Sequence, residues 1–559
     1  MRISEQMVLS KINYSIGVYG IQDIRLSNYP EFVHDHSISI FCQGECVGYL
    51  HLERYTRRKY DNRLQDFLYL ILKEAGLAGK TNTDVIFSDN VIGRSMISSE
   101  GDIRFESPIS KLLQADYEEG TLRWYGRGRT GYMLNHELAH IYSMMPFYGD
   151  FRDNSLLVHF DGGASKSNFS AWMWLHGKLK LIEYGWDLEY LSSLYNSNAL
   201  LFAIAGAKKQ EQNSVPGKLM GLAGYGRYDP KLEEWLKQNQ YFRNIWGDKR
   251  LFFDLAFKDW GIELNNFDTK NGFVQSIVAT AQKIFERDFI NKLVSIQNKV
   301  NAENLYYAGG AALNIVLNSR LVKERLFKDV FIPPCPGDSG LSLGAAAYLE
   351  FKKGNPIKKH SPYLNSIFLP DTPFQYTLDD IKRVALCLLE KKIVGVYNGY
   401  GEIGPRALGN RSIIALASSG QLAQKISMQC KKREWYRPVA PIMLERNAKY
   451  FTGLGTIHHL SKFMLLDFDI LTDKQDELKG AIHIDGTSRI QTIFHRSDTP
   501  FMFDLLEYLD KEHQVRALIN TSFNGKGEPI VHTEKDAARS AKDMKLDALV
   551  LNGKFMLIA

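Results

Sequence analysis

His136 and His140 stand four residues apart, and at that spacing two side chains share one helix face, so both imidazoles can reach a single metal ion. With Glu137 between them the stretch also reads H-E-x-x-H, the zinc-protease pattern in which the glutamate is the general base. A zinc protease needs a third protein ligand, and the x-x-G-x-x-H continuation is missing, since Ser143 and Pro146 occupy those places. The next glutamate, Glu183, lies in the apolar, strand-like stretch Leu179 to Trp186. Asp338, at the tip of the Gly-rich turn Pro336-Gly337-Asp338-Ser339-Gly340, is the better third ligand. The protease reading is therefore set aside.

A second set of residues suits anions. Arg406, Arg411, Lys432, Arg433, Arg437 and Arg489 are cations embedded in otherwise apolar or Gly-rich segments, and guanidinium forks pair with phosphate oxygens at two points. Ser522 and Asn524, after an expected strand over 516–519, can donate to the same phosphates. The competing reading is a basic solvated face or an RNA patch, which would bring exposed aromatics or a net charge well above +6. Gly-rich turns supply further anion cradles. Leu156 to Phe160 reads as a buried strand ending in Asp161-Gly162-Gly163, and Leu305 to Ala308 as one ending in Gly309-Gly310 before a helix over 311–317. No Walker A sequence occurs.

The elements that must position these residues alternate short β-rich runs with amphipathic helices, which predicts α/β lobes. Ser37 to Phe41 and Cys46 to Leu50 predict a hairpin between the polar clusters His34-Asp35-His36 and Glu53 to Lys59. Residues 351–373 are polar, Pro-bearing and without helical periodicity, so they separate a first lobe, 1–350, from a second, 374–559. At 559 residues, with 45% hydrophobic and 24% charged, the chain is an ordinary globular one without sequence repeats. No apolar core follows Met1-Arg2-Ile3-Ser4-Glu5, no run approaches the roughly 18 apolar residues of a membrane span, and five cysteines suit a reducing compartment. A cytoplasmic protein without a membrane or nucleic-acid partner is expected, and a homodimer on frequency alone.

The chain resembles the ATP-dependent O-carbamoyltransferases of the nodulation and antibiotic-tailoring kind. The matching stretches are the His34-Asp35 hairpin, Glu53-Arg54 with Lys59, and the His136 to His140 helix, followed by Gly217-Lys218-Leu219-Met220-Gly221-Leu222-Ala223, Ala308 to Asn314 and Pro336-Gly337-Asp338. Beyond the linker come Glu402-Ile403-Gly404-Pro405-Arg406-Ala407-Leu408-Gly409-Asn410-Arg411-Ser412, Arg437 to Pro441, His483 to Arg489 and Asn520 to Asn524. The resemblance implies a Kae1-like first lobe of the actin and sugar-kinase class and a YrdC-like second lobe. It implies His136, His140 and Asp338 as metal ligands, with ferrous iron ahead of zinc or manganese, a donor set that suits either ion chemically. It further implies nucleotide contacts from Asp161, Gly162, Gly163, Lys218, Gly309, Gly310 and Asn314. Arg406, Arg411, Lys432, Arg433, Arg437, Asp485, Arg489, Ser522 and Asn524 would hold ATP and carbamoyl phosphate.

The implied reaction makes carbamoyl adenylate in the second lobe, with Arg406 steadying the transferring group. The first lobe then carbamoylates a hydroxyl of a small sugar or natural-product acceptor, with His34 as base and Lys59 steadying charge. Three departures from the family pattern stand out. Glu137 replaces a histidine, Tyr400 lies where an arginine is usual, and Ala415 to Ser419 replaces a segment bearing an aspartate and an arginine. The alternatives are a sugar-kinase-like phosphotransferase, a tRNA threonylcarbamoyl-type enzyme and a catalytically silent nucleotide-binding partner. The aromatic segment Tyr142 to Arg152 is a candidate lining for the acceptor pocket.

Overall fold

The structure, a computed structural model, describes residues 13–20, 33–90, 95–107, 116–186, 194–195, 197–371 and 374–558. The predicted alternation of strands and helices is present throughout, and the fold is α/β.

Eight strands form the first sheet: β1 (Tyr14–Tyr19), β2 (Ser37–Cys42), β3 (Glu45–His51), β4 (Thr83–Ser88), β5 (Ser95–Ile97), β6 (Ile103–Glu106), β7 (Tyr117–Trp124) and β8 (Arg127–Leu134). Their order is β3-β2-β1-β4-β8-β7-β6-β5. Helix α1 (His136–Tyr142) follows β8 directly. The second sheet holds β9 (Ser155–Phe160), β10 (Phe169–Leu175), β11 (Lys178–Gly185), β12 (Asn304–Ala308) and β13 (Asp329–Phe331), in the order β11-β10-β9-β12-β13. Inserted between β11 and β12 are helices that include α2 (Val215–Ala223) and the 29-residue α3 (Gly272–Val300), while α4 (Ile315–Glu324) joins β12 to β13 and α5 (Leu341–Lys352) follows β13.

The two sheets repeat one plan. In each, the first strand (β1 or β9) pairs antiparallel with the second (β2 or β10), the second antiparallel with the third (β3 or β11), β4 or β12 runs parallel to the first, and β8 or β13 runs parallel to that strand. Each hairpin also carries a register shift, at Ile40/Phe41 and at Ala171/Trp172. A helix follows β8 and β13, α1 in one copy and α5 in the other. This duplicated order is that of the actin and sugar-kinase class. The repeat is one of topology, and the two copies share no sequence period.

Helix α5 is where the copies meet. Its Gly344-Ala345-Ala346-Ala347 run is fully buried, because a Cβ on Gly344 would strike the Ala139 carbonyl of α1 and one on Gly17 of β1 would strike the Ser342 carbonyl of α5. Larger side chains there would overpack the contact, at a cost of about 1–3 kcal/mol each. The close approach sets the turn before α5 beside α1.

The second lobe is a seven-stranded mixed sheet of β14 (Val394–Tyr397), β15 (Arg411–Leu416), β16 (Ala440–Leu444), β19 (Gln491–Ile493), β20 (Leu518–Ser522), β21 (Ala548–Leu551) and β22 (Lys554–Leu557). The short pair β17 (Phe468–Asp469) and β18 (Thr487–Ser488) lies apart from it. Helices α6 (Leu378–Leu389) and α7 (Pro500–His513) pack together. Among the described residues no helix is long and apolar enough to cross a membrane.

Several local expectations shift. The helix expected over 311–317 begins at Ile315, capped by Asn314, after a 3₁₀ turn over Gly310–Leu313. The strand expected over 516–519 runs Leu518–Ser522, so Ser522 ends a strand and does not sit on the following turn. The segment expected as a linker keeps helix α5 through Lys352 and is then sewn to both lobes. Asn365 bridges Tyr49 of β3 and Gly401, and the Ile403 amide donates to the Pro362 carbonyl at 2.8 Å.

Candidate active site between two lobes

The residues with metal-ligand chemistry arrive from three places. Helix α1, capped by the Asn135 side chain accepting from the Leu138 amide at 2.8 Å, presents His136 and His140 one turn apart. Asp161 follows β9, and Asp338 opens the turn ahead of α5. One ligand atom from each of the four lies within 4.8 Å of the others. The two Nε2 atoms are 3.1 Å apart, each is 3.5 Å from Asp338 Oδ1, and His140 Nε2 is 3.4 Å from Asp161 Oδ2. Two imidazoles and two carboxylates converging on one point form a donor set that suits a divalent ion. Asp161, read from sequence as a nucleotide contact, is placed in this cluster; its position at a strand tip before two glycines was the available signal.

The shell around the cluster is polar and buried. Tyr19 donates to Asp338 Oδ2 at 2.9 Å, and His136 Nδ1 is 3.2 Å from the Asp89 carbonyl. Burial works against the Asp338 carboxylate, yet His34, His136 and His140 hold its pKa well below the usual range. For His136 burial again opposes charge, but Asp338 lifts it to about 9. His159 lies behind, stacked on His140 at 5.2 Å, and burial with the neighbouring imidazoles pushes it well below the ordinary histidine value. His36 is buried beside Tyr19 and pushed down to about 3 by burial.

Glu137 points away from the cluster. Its Oε1 accepts from the amides of Lys166 at 2.7 Å and Ser167 at 3.0 Å, which fastens the turn after β9 to α1. It is a structural acceptor and not a general base, so the protease geometry is absent.

His34 is the nearest candidate base. Its Nδ1 is 2.9 Å from Asp35 Oδ2 and its Nε2 is 3.9 Å from Asp338 Oδ2; burial lowers its pKa, but Asp338 and Asp35 raise it to about 9. Asp35 is shared with His51 at 3.0 Å. The Tyr60 ring meets His34 edge-on, and Lys59, exposed, lies over that ring at 5.0 Å.

In the second lobe Arg406, Arg433, Arg437 and Arg489 line a cavity of about 150 Å³ together with His483 and Asp485, and α2 of the first lobe closes it through Gly217, Met220 and Gly221. Burial and then the neighbouring Arg437 and Arg433 lower Arg406 to about 10. Burial with Arg437 and Arg489 lowers Arg433 to about 9. Arg489 is pushed well below the guanidinium range by burial, Arg406 and Arg437. Crowded guanidiniums of this kind suit an anion.

The other residues singled out from sequence take varied places. Arg411 is fully buried, donates to the carbonyls of Asn398 and Gly399, and stacks on Tyr397 at 3.7 Å, so it braces the loop outside the cavity. Lys432 is exposed, whereas Lys431 is buried and donates to Ser522 and Asn524 side chains at 3.0 and 2.8 Å. The π-helical turn Lys425–Cys430 adds a residue to the helical phase, which sequence spacing does not reveal. Lys218 pairs with Glu434 across the lobes at 2.9 Å. Asn314 is the α4 cap, and the Gly162 and Gly310 amides donate to Asp161 at 2.6 and 2.5 Å, while Gly163 and Gly309 flank them. Tyr142, Phe147 and Phe151 are buried in the core, so the segment Tyr142 to Arg152 does not offer rings to a ligand. Glu402 went unnoticed in the sequence; its Oε1 accepts from the amides of Leu408, Asn410 and Arg411 and shapes the loop that carries Arg406.

Arg406 Nη2, in the second-lobe cavity, donates to the first-lobe Leu313 carbonyl at 3.4 Å. A larger cavity of about 430 Å³, on the second lobe between Tyr376 and Lys511, holds the ion pair Arg496–Asp504 at 2.6 Å and none of these groups.

The first lobe is thus of the actin and sugar-kinase class and carries a His–carboxylate cluster, and the second is an α/β lobe with an arginine-lined cavity. Family models described as carbamoyltransferase N-terminus and carbamoyltransferase C-terminus match residues 129–347 and 385–557. Nodulation protein NolNO of Sinorhizobium fredii is 27% identical, covering 98% of this chain and 82% of its own. Nodulation protein U of Azorhizobium caulinodans is 26% identical over 89% of this chain and 93% of its own. An uncharacterized protein of Methanocaldococcus jannaschii is 28% identical over 94% and 98%. A solved full-length HypF in its phosphate- and nucleotide-bound form is 13% identical, covers 62% of this chain and 56% of its own, and superposes with a TM-score of only 0.31. The chain belongs to the carbamoyltransferase family and is a carbamoyltransferase enzyme.

Proposed function

We propose that the enzyme makes carbamoyl adenylate from carbamoyl phosphate and ATP in the arginine-lined cavity and passes the carbamoyl group to an acceptor hydroxyl at the histidine–carboxylate cluster. The observation that carries this reading is the crowding of Arg406, Arg433 and Arg489, each pushed down by burial and by its neighbouring guanidiniums, in a cavity that α2 of the first lobe closes. Phosphate oxygens relieve that repulsion, and the donors are already aimed when charge moves between oxygens.

Water cleaves carbamoyl phosphate to carbamate and phosphate. A carbamate oxygen attacks the α-phosphorus of ATP, releasing pyrophosphate. The acceptor oxygen then attacks the carbamoyl carbon, AMP leaves with the bonding pair, and the acceptor proton passes to His34 Nε2. Asp35, 2.9 Å from Nδ1, holds the ring's orientation. His136, His140, Asp161 and Asp338 would hold a divalent ion, iron first and zinc or manganese after it. When bound, that ion supplies Lewis-acid charge and offsets the Asp338 charge that now keeps His34 protonated.

The test is product analysis with ATP and carbamoyl phosphate. AMP and pyrophosphate that appear only when carbamoyl phosphate is present are expected. ADP as the product would overturn the reading in favour of phosphoryl transfer, and a requirement for threonine would overturn it in favour of threonylcarbamoyl chemistry.

A further inference from the structure

Trp186 stands beside the Asp161-Gly162-Gly163 turn, which carries one residue of the histidine–carboxylate cluster, and has no part in the fold's core. Its side chain is 46% exposed, at the end of β11. The indole is nevertheless fixed: Nε1 donates to the Lys166 carbonyl at 2.9 Å, and the Lys166 ammonium is paired with Asp116 and lies over the Tyr184 ring at 4.8 Å. Tyr184 in turn donates to Asp116 at 2.8 Å, and Glu137 holds the Lys166 amide at 2.7 Å, so the platform is anchored to α1 itself. Cη2 of the indole lies 3.9 Å from a Cβ built on Gly163 of the Asp161-Gly162-Gly163 turn. Gly162 and Gly163 are exposed and carry no side chains, so nothing of theirs fills the space beside the ring.

An immobilised, solvent-facing indole costs little further entropy when a ligand lies on it, and its face suits C–H bonds ringed by polar groups. A pyranose has that make-up: axial C–H bonds on one face and hydroxyls around the rim. The aromatic residues Tyr142, Phe147 and Phe151 are buried and unavailable for the purpose. We infer that Trp186 is the stacking platform for the acceptor, and that the acceptor presents a neutral sugar ring to it, with a rim hydroxyl turned toward the cluster. This inference rests on the reading of that cluster as the transfer site.

The experiment uses the full-length protein and three probes, cellobiose, maltose and chitobiose, titrated into wild type, Trp186→Ala and Trp186→Tyr while intrinsic fluorescence and heat of binding are followed. Saturable binding of at least one disaccharide is expected, weakened about tenfold in Trp186→Ala and restored to within a few-fold in Trp186→Tyr. ATP affinity and carbamoyl-phosphate-dependent pyrophosphate release should be the same in all three proteins. The inference is overturned if no probe binds, if Trp186→Ala binds sugar as wild type does, or if Trp186→Ala loses ATP affinity instead, which would make the ring a base-stacking group. Pyrophosphate release in wild type reports separately on the proposed function, so either idea can fail without the other.

Discussion

The histidine–carboxylate cluster contains its own counter-charges, whereas the strongest charged neighbours of Arg406, Arg433 and Arg489 are other guanidiniums. In the first site Asp338 lies within 4 Å of three imidazoles, so the ligand-free protein can settle the charges among protons and side chains. The second has no such recourse, because arginine does not give up its proton. One site is thus stable without its ligand and the other is held in tension by the fold. A pocket built against its own electrostatics points to the ligand that relieves it, while a balanced one points only to a class of ion.

The contrast can be broken at either end. Asp338→Asn removes the carboxylate shared by His34, His136 and His140; metal content of the purified protein should fall, and acceptor carbamoylation should drop on the order of 100-fold or more, with pyrophosphate release left intact. Unchanged metal content and transfer would make the cluster purely structural. Arg433→Met should raise the KM for ATP or carbamoyl phosphate by about 10- to 150-fold, the worth of about 1.5–3 kcal/mol for one charged hydrogen bond. Unlike most buried substitutions, it should leave the ligand-free Tm unchanged or higher, since it relieves repulsion from Arg437 and Arg489. A lower Tm with normal KM would show that Arg433 braces the fold instead.

The smallest effect is expected at Glu434, which pairs with Lys218 across the lobes at 2.9 Å and with Arg437 of its own lobe at 3.2 Å. Burial raises its pKa, but Lys218 and then Arg437 outweigh it and hold the carboxyl down to about 2, against an ordinary 4.5. Its contribution is therefore complete above pH 4.5 and lost as the pH falls toward 2. Acid unfolding followed by circular dichroism should show Glu434→Gln parting from wild type at neutral pH and converging with it at the acid end. Parallel curves over the whole range would remove Glu434 from the lobe contact.

Much of this was legible in the residues. The spacing of His136 and His140 needs only an α-helix to become a site, and local periodicity reveals the helix. Asp338 was reachable because a Gly-rich turn after a strand is a recurrent place for a ligand. The duplicated sheet plan was not legible, since topology constrains which strands pair and not which residues fill them. Lys431 was hidden behind Lys432 by a π turn, and the buried aromatics of Tyr142 to Arg152 looked like a surface because a polar segment and a core helix differ only in what packs on them. Trp186 was read as one more apolar residue in a strand, and only the structure shows its side chain half exposed.

The strand-like bridge of Asn365 between Tyr49 and Gly401 has a counterpart in Arg54, a buried first-lobe side chain whose Nη2 donates to the Gly404 carbonyl at 2.8 Å, and in Arg57, which donates to the carbonyls of Pro529 and Ile530 at 2.7 Å each. Spreading the lobes would break all of these bonds together, and the buried guanidinium would be left without its acceptor. The lobe contact is thus fastened at separate points, and on the proposed reading both half-reactions would run on lobes tied in one arrangement.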